Sequence, residues 1–273
     1  MKNKKGESIQ IIILTVISVL FIAPIVIVFM NSFKSKLFIN STPFAFPNAD
    51  SFVGLANYGE GMIKTGFLQA FFITLFITVA SVFLIVMLTS MTAWYLVRVK
   101  SRFTKVMYYL FAFAMIVPFQ MVMFTLVKVS NMFNLDNLIG IIFIYVGFGA
   151  GLSVFMFTGF IKSIPVSLEE AAMIDGCSIM QIYFKVVFPV IRPIIMTVAI
   201  LNAMWIWNDY LLPYLVIGSE YKTISVAIQY LRGGYDVHAG TGNHTNCNFL
   251  YDLPEMDHTG SNRWSSKRIR RLK

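Results

Sequence analysis

The sequence predicts an all-α integral membrane protein, and three observations carry that prediction. Charged residues are only 13% of the 273 positions, where a soluble domain carries about 25%. Hydrophobic residues are 57% and the mean hydropathy is +0.71. Several apolar runs without a charge reach the roughly 20 residues that a helix needs to cross a bilayer. The net charge of +9 is also a nucleic-acid signal, but the basic residues sit in short clusters beside apolar runs, as membrane topology expects. The expected surroundings are therefore membrane lipid, with no nucleic-acid partner. Two cysteines, Cys177 and Cys247, make neither a framework nor a CxxC pair, so no disulfide scaffold is expected. Cys177 is expected to be a small packing residue.

The first span is Ile9 to Met30, free of charge and interrupted by Pro24, which is expected to bend it. A basic start and an apolar run also describe a secretory signal. This run is too long and lacks a small-residue cleavage site, so an uncleaved span is expected. Asn31 to Gly66 is a polar loop containing Pro43, Pro47, Gly54 and Asn57. The second span, Phe67 to Val97, ends at Arg98, where a basic loop runs to Lys105. Val106 to Val127 is a third span with a kink expected at Pro118, and Lys128 to Asn137 is a short polar link. Leu138 to Ile161 is a fourth span, whose Gly147-x-x-x-Gly151 spacing permits close helix contact. Ile194 to Ile217 makes a fifth span.

Lys and Arg placement orients these spans. Lys2, Lys4 and Lys5 precede the first span, and Arg98, Lys100, Arg102 and Lys105 lie between the second and third. Both clusters belong on the cytoplasmic side. The N-terminus is then inside, the 31–66 loop outside, and the segment between the fourth and fifth spans inside. Lys34, Lys36 and Lys64 weaken this bias without reversing it.

That inner segment, Ser167 to Pro193, is a polar island between two apolar runs. Ser167 with Glu170, and Ser178 with Gln181, each fit a capping box at a helix start. Asp175-Gly176 between them is a turn signal, with Gly supplying a positive φ. Pro189 and Pro193 set the entry to the fifth span. Ala171 and Ala172 form a small-residue face; Glu169, Glu170 and Asp175 can meet basic or backbone donors; Met173, Ile174, Met180 and Ile182 supply apolar anchors. The alternatives are docking to another protein and an amphipathic segment lying on the membrane. An interfacial helix is usually rich in Lys and Arg, and this one leads with acids.

Asp209, in Trp205-Ile-Trp-Asn-Asp-Tyr-Leu-Leu-Pro213, is the exceptional acid in the spans. An intramembrane acid is a functional candidate, so Asn208 and Asp209 are candidate substrate-path residues. The competing reading places Asp209 in an outer aromatic belt beside Trp205, Trp207 and Tyr210.

The run from Glu169 to Pro193 resembles the EAA loop of binding-protein-dependent ABC importer permeases. The match falls on Glu170, Ala171, Ala172, Asp175, Gly176, Phe184, Pro189 and Pro193. Position 177, often Ala in the family, is Cys here. Residues 207–213 and the Gly-Leu-Ala-Asn-Tyr run at 54–58 are similar to the carbohydrate branch, typified by the second membrane subunit of the maltose importer. The resemblance extends from the N-terminus to about Tyr235. It implies a type I permease fold in a bacterial inner membrane, with alternating access and a coupling helix seated in a cleft of the ATP-binding subunit. Glu169, Glu170, Ala171, Ala172, Asp175 and Gly176 would carry that coupling role. The implied partners are ATP-binding cassette ATPase subunits, a second homologous permease, an extracellular solute-binding protein and a sugar. Sugar contacts would come from the inner faces of spans three to five.

The residues themselves agree with a non-catalytic subunit. No GxxxxGK[ST] phosphate loop is present, so ATP work must come from another chain. A proton-coupled transporter would show several paired intramembrane charges. No paired carboxylates, His cluster or Ser-His-Asp set is placed for catalysis, and no cofactor or metal is expected. Other cargoes, such as polyols or glycerol phosphates, keep the same architecture. An inactive remnant acting as a membrane scaffold is the alternative from another class.

The family has six spans, with the sixth ending inside. Here five spans are followed by a polar tail that departs after about His238 and cannot cross a membrane. Five spans would leave Arg263, Lys267, Arg268, Arg270, Arg271 and Lys273 outside, against the positive-inside trend. A frameshift is expected to account for this, the alternative being a real divergent tail. Asn, His, Cys, Phe, Tyr and Asp codons end in a pyrimidine, and reading one base later moves it to the middle position, which encodes apolar residues or Thr, Ser, Ala or Pro. Asn243 to His258 then opens an apolar run. Met256-Asp257 must give Trp, and Trp264 followed by Ser must give Gly. The expected organisation is an N-terminal span and loop (1–66), a permease core (67–217) with the coupling loop at 167–193, an outer loop (218–238) and an aberrant tail (239–273).

Overall fold

The computed structural model describes residues 4–218 and 220–232, all within one compact unit. The proposed out-of-frame tail, Cys247 and the end of the outer loop lie outside the described residues. The described residues are helical, with one isolated antiparallel bridge between Lys34 and Phe52.

Helix α1, Lys4–Asn31, continues through Pro24. The apolar window within Gln10–Asn31 has a mean hydropathy of 3.2 and none of that window is buried against the rest of the described residues. Such a surface is stable only against lipid or another apolar subunit. The 31–66 loop contains two short helices, α2 (Lys36–Ser41) and α3 (Ala56–Thr65). The Gly54–Tyr58 run closes this loop. Gly54 sits at φ +57, Asn57 Nδ2 donates to the carbonyls of Ser32 (2.8 Å) and Lys34 (2.7 Å), and Tyr58 OH lies 2.7 Å from Ser32 Oγ.

The centre of the fold is α4 (Phe67–Arg98) packed on α7 (Leu138–Ile161). Ile77, Ile85 and Ala93 of α4 and Ile141, Tyr145, Val154, Phe157 and Ile161 of α7 are buried. Between them α4 buries Thr74, Thr78, Ser81, Thr89 and Ser90. Small side chains let helices approach in an apolar solvent, and Thr74 and Thr89 bond the carbonyls of Ala70 and Ile85 in their own helix. The close approaches are at Gly149 and Gly151. A Cβ at Gly151 would stand 2.9 Å from the Phe111 carbonyl oxygen, and one at Gly149 would stand 2.6 Å from Ile85 Cδ1. Gly147 has open space beside it, so only one end of the Gly147/Gly151 pair makes a contact.

Two expected spans are broken. The third is two helices, α5 (Arg102–Ile116) and α6 (Phe119–Met132), meeting at 105°. This is far more than a kink: Val117 is extended at ψ 116 because it precedes Pro118, whose ring forbids the helical region to its neighbour. The fifth expected span, 194–217, is also interrupted. Helix α11 runs Arg192–Asn208, Asp209 is extended, and a separate α12 spans Leu211–Val216. Among the described residues three helices are long and apolar enough to cross a membrane, and up to five if α5 with α6, and residues 179–190 with α11, each count as one bent span. The 218–238 segment contains a helix, α13 (Ile224–Arg232), tied to α4 by Ile224 N donating to Thr74 Oγ1 at 2.9 Å.

Candidate functional site

The island folds as α8 (Ser167–Ile174), a turn, α9 (Ile179–Ile182), a π-helical turn (Tyr183–Val187) and α10 (Phe188–Val190). The Ser178–Gln181 capping box forms as expected. The Ser167–Glu170 box does not. Val166 precedes the helix at φ −63, ψ −29, with no side-chain cap, and its carbonyl accepts from Glu169 N and Glu170 N. Ser167 is therefore already helical, and a capping side chain needs an extended backbone. Gly176 takes φ +81 at the turn, where its N–H reaches the Met173 carbonyl and that of Cys177 reaches Ala172. Cys177 is half-buried against the core, as a packing residue would be. Pro189 and Pro193 flank a bend of 77° between residues 179–190 and α11.

The island has an inner and an outer face. Inward, Glu169 is 4% exposed. Its Oε1 accepts from Arg98 Nε (2.8 Å) and lies 2.7 Å from Arg98 Nη2, while its Oε2 accepts from Trp94 Nε1 (3.0 Å). Arg98 Nη2 also donates to the Ile164 carbonyl at 3.1 Å. The last turn of α4 thus holds α8 and the chain leading into it. Ser90 Oγ and Tyr183 OH are 2.6 Å apart, and the Tyr183 ring lies 5.4 Å from Trp94. Ala172 and Ile182 are buried in the same cluster as Ala93, Phe157 and Ile161. Ile182 is therefore core, not an exposed anchor. Outward, the surface carries Glu170, Ala171, Met173, Ile174 (87% exposed), Asp175 and Gly176, with Ile179 and Met180 on α9.

The island is joined to the end of α4 by a charge-assisted contact in which two Arg98 nitrogens meet one oxygen of buried Glu169. Such contacts are short and directional. The sequence signalled Glu169 but missed its partners. Arg98 looked like a topology charge, and Trp94 and Tyr183 were not singled out. The available signal was that Trp94 and Arg98 are four residues apart, on one face of a helix.

Asp209 is remote from the island in the chain and ends α11. Its Oδ2 accepts from Tyr145 OH at 3.0 Å, and its Oδ1 accepts from Leu211 N (3.0 Å) and Leu212 N (3.4 Å). It therefore caps α12 while gripping the centre of the α4–α7 core through Tyr145. Asn208 is exposed and donates to the Met204 carbonyl one turn back at 2.7 Å. Trp205 stacks edge-on to Tyr145, with ring centroids 5.5 Å apart.

Residues 85–241 match the family described as "Binding-protein-dependent transport system inner membrane component". The chain belongs to this family. It is a multi-pass inner-membrane permease component, not an enzyme, and the matched residues include the island. It is 42% identical over 221 residues to the "Probable starch degradation products transport system permease protein AmyC" of Thermoanaerobacterium thermosulfurigenes, covering 81% of this chain and 80% of that one. It is 34% identical over 224 residues to the "Multiple sugar-binding transport system permease protein MsmG" of Streptococcus mutans, covering 80% and 79%. A chain from the crystal structure of a bacterial ABC transporter that imports the acidic polysaccharide alginate has the same fold. Its TM-score is 0.70 at 23% identity, over 92% of this chain and 85% of that one.

Proposed function

We propose that this permease component carries an oligosaccharide across the membrane as one of two permease subunits, driven by a separate pair of ATPase subunits and fed by an extracellular binding protein. The substrate class rests on the names of the relatives, which concern starch degradation products and multiple sugars over about four-fifths of each chain. The N-terminus and the EAA segment lie on the cytoplasmic side. This is supported by the basic cluster at 98–105, which Arg98 joins to the island at one end of the fold. Glu170, Ala171, Met173, Ile174, Asp175 and Gly176 form the face for the ATPase. Glu169 and Ala172, turned inward, pass its movement to α4 and α7. Asn208 and Asp209 lie on the substrate path, where an acid at a break in an apolar helix is costly without a role.

Exposure is the observation that carries the docking face: Ile174 is 87% exposed while Glu169, on the same short helix, is 4% exposed. Co-purification with the cognate ATPase subunits tests it. Gly176→Asp forces a side chain onto φ +81 and adds a charge to the face, so ATPase recovery should fall at least about tenfold. Unchanged recovery would remove the face from the interface. Cargo is tested separately, by uptake of labelled malto-oligosaccharide in cells carrying the whole transport system. Uptake of glycerol phosphate in place of every oligosaccharide would overturn the sugar reading and leave docking intact. The tail after about His238 is proposed to be out of frame, in keeping with a family match that ends at residue 241. The gene's nucleotide sequence decides this: no hydrophobic frame one base away near residues 238–243 would sink it.

A further inference from the structure

The turn between α4 and α5 lines an open cavity of about 480 Å³. This is within the range of small-ligand sites, about 300–1,000 Å³. Its rim is basic. Lys100, Arg102, Lys105 and Lys162 line it, and no acidic side chain does. All four are exposed, and none has a salt bridge among the described residues. Its apolar wall comes from Leu96, Val97, Val99 and Tyr108. Solvated surface lysines usually extend away from one another. Here Lys162, from the end of α7, is drawn over the Tyr108 ring of α5, 5.3 Å from its centroid, so two helices bring their cations to one place.

The turn is also pre-shaped. Ser101 caps α5, its Oγ accepting from Thr104 N at 3.1 Å, and Thr104 Oγ1 accepts from Ser101 N at 3.1 Å. Thr104 is buried and donates its hydroxyl to the Val99 carbonyl at 2.7 Å. Beside Lys105 and Tyr108, on the same helix, Val106, Tyr109, Leu110 and Phe113 are 53–64% exposed. Their i, i+3, i+4, i+7 spacing makes one apolar stripe leading away from the basic rim along a helix of the membrane domain. A cationic cavity that opens onto an exposed apolar helix face matches an anionic headgroup with attached acyl chains better than it matches a soluble anion or an acidic protein loop.

We propose that this cavity is a headgroup site for an anionic phospholipid, with the phosphate among Lys100, Arg102, Lys105 and Lys162 and the acyl chains along the α5 stripe. It lies at the same end of the fold as the EAA segment, since Val97 lines it and Arg98 holds Glu169. A lipid here braces the turn from which α4 grips α8. The site is independent of the cargo and of the ATPase face.

Native mass spectrometry of the full chain in neutral detergent tests this, with phosphatidylglycerol and phosphatidylcholine added at equal concentration. The unaltered chain should retain phosphatidylglycerol preferentially. The Lys105→Gln/Lys162→Gln double variant should lose about twenty-five-fold in apparent affinity, at about fivefold per cation, and Lys128→Gln, outside the cavity, should lose nothing. Glycerol 1-phosphate at the same concentration should not displace the lipid, because it has no chains for the stripe. Equal retention of the two lipids by the unaltered chain overturns the proposal without reference to any variant. Unchanged affinity in the double variant overturns the location, and displacement by glycerol 1-phosphate would mark a soluble phosphate site instead.

Discussion

Two acids anchor this molecule, the buried Glu169 where α4 ends and the half-buried Asp209 where α11 ends, and they are held in opposite ways. Glu169 at the EAA end is met by a full cation: Arg98 gives it two contacts of 2.7–2.8 Å and Trp94 a third donor. Asp209 has no cation among the described residues. Its donors are a phenol, Tyr145, and the backbone N–H groups of Leu211 and Leu212. The Glu169 contact joins segments 71 residues apart and neutralises charge, so it resists being opened. The Asp209 contact is polar without being charge-balanced, and it sits where α11 stops. One end is built as a rigid grip on the proposed handle, the other as a joint in a helix.

The largest test of this contrast is to break the grip. Arg98→Leu leaves Glu169 buried without its cation and should cost about 3–5 kcal/mol of stability, read as thermal unfolding of the detergent-purified chain. The double change Arg98→Leu/Glu169→Leu should recover most of that loss, since an apolar pair of similar volume often substitutes for a buried ion pair. A single-variant loss below about 1 kcal/mol would mean that the pair behaves like a solvated surface bridge, and the contrast would collapse. At the joint, Tyr145→Phe removes one donor from Asp209 and should cost about 1–2 kcal/mol in the same assay. A cost as large as that of Arg98→Leu would make the two anchors equivalent. The smallest change is Asp209→Asn, which keeps an oxygen to cap α12 and should cost no more than about 0.5–1 kcal/mol. Transport measured on this variant separates the joint from a substrate contact: uptake lost at intact stability favours the path role proposed for Asp209.

Much of the architecture was legible in linear order. Spans one, two and four follow from runs of uncharged residues long enough to cross a bilayer, and the observed helices end within a few residues of Met30, Val97 and Ile161. The turn at Gly176 and the box at Ser178–Gln181 are local devices, fixed by residues three apart, and they formed as the sequence predicts. Legibility failed where a local signal met its tertiary neighbours. Pro118 was visible, but that its extended neighbour Val117 yields a 105° break between two helices and not a kink is not readable from the local residues. Gly147 and Gly151 are indistinguishable in sequence, and only Gly151 has a helix backbone within reach. Ser167 lost its cap because the chain around Pro165 began the turn earlier.

The sequence alone determined the apolar solvent and the helical class, because hydropathy depends only on near neighbours in the chain, and its motif residues pointed to the family by resemblance. The tertiary structure decided which face of the EAA segment points out. Glu169 and Glu170 are adjacent and chemically alike, yet one is buried against Arg98 and the other exposed. Consecutive residues on a helix point about 100° apart, so the direction that meets α4 is set by where the end of α4 lies, and no pattern within residues 167–193 encodes it.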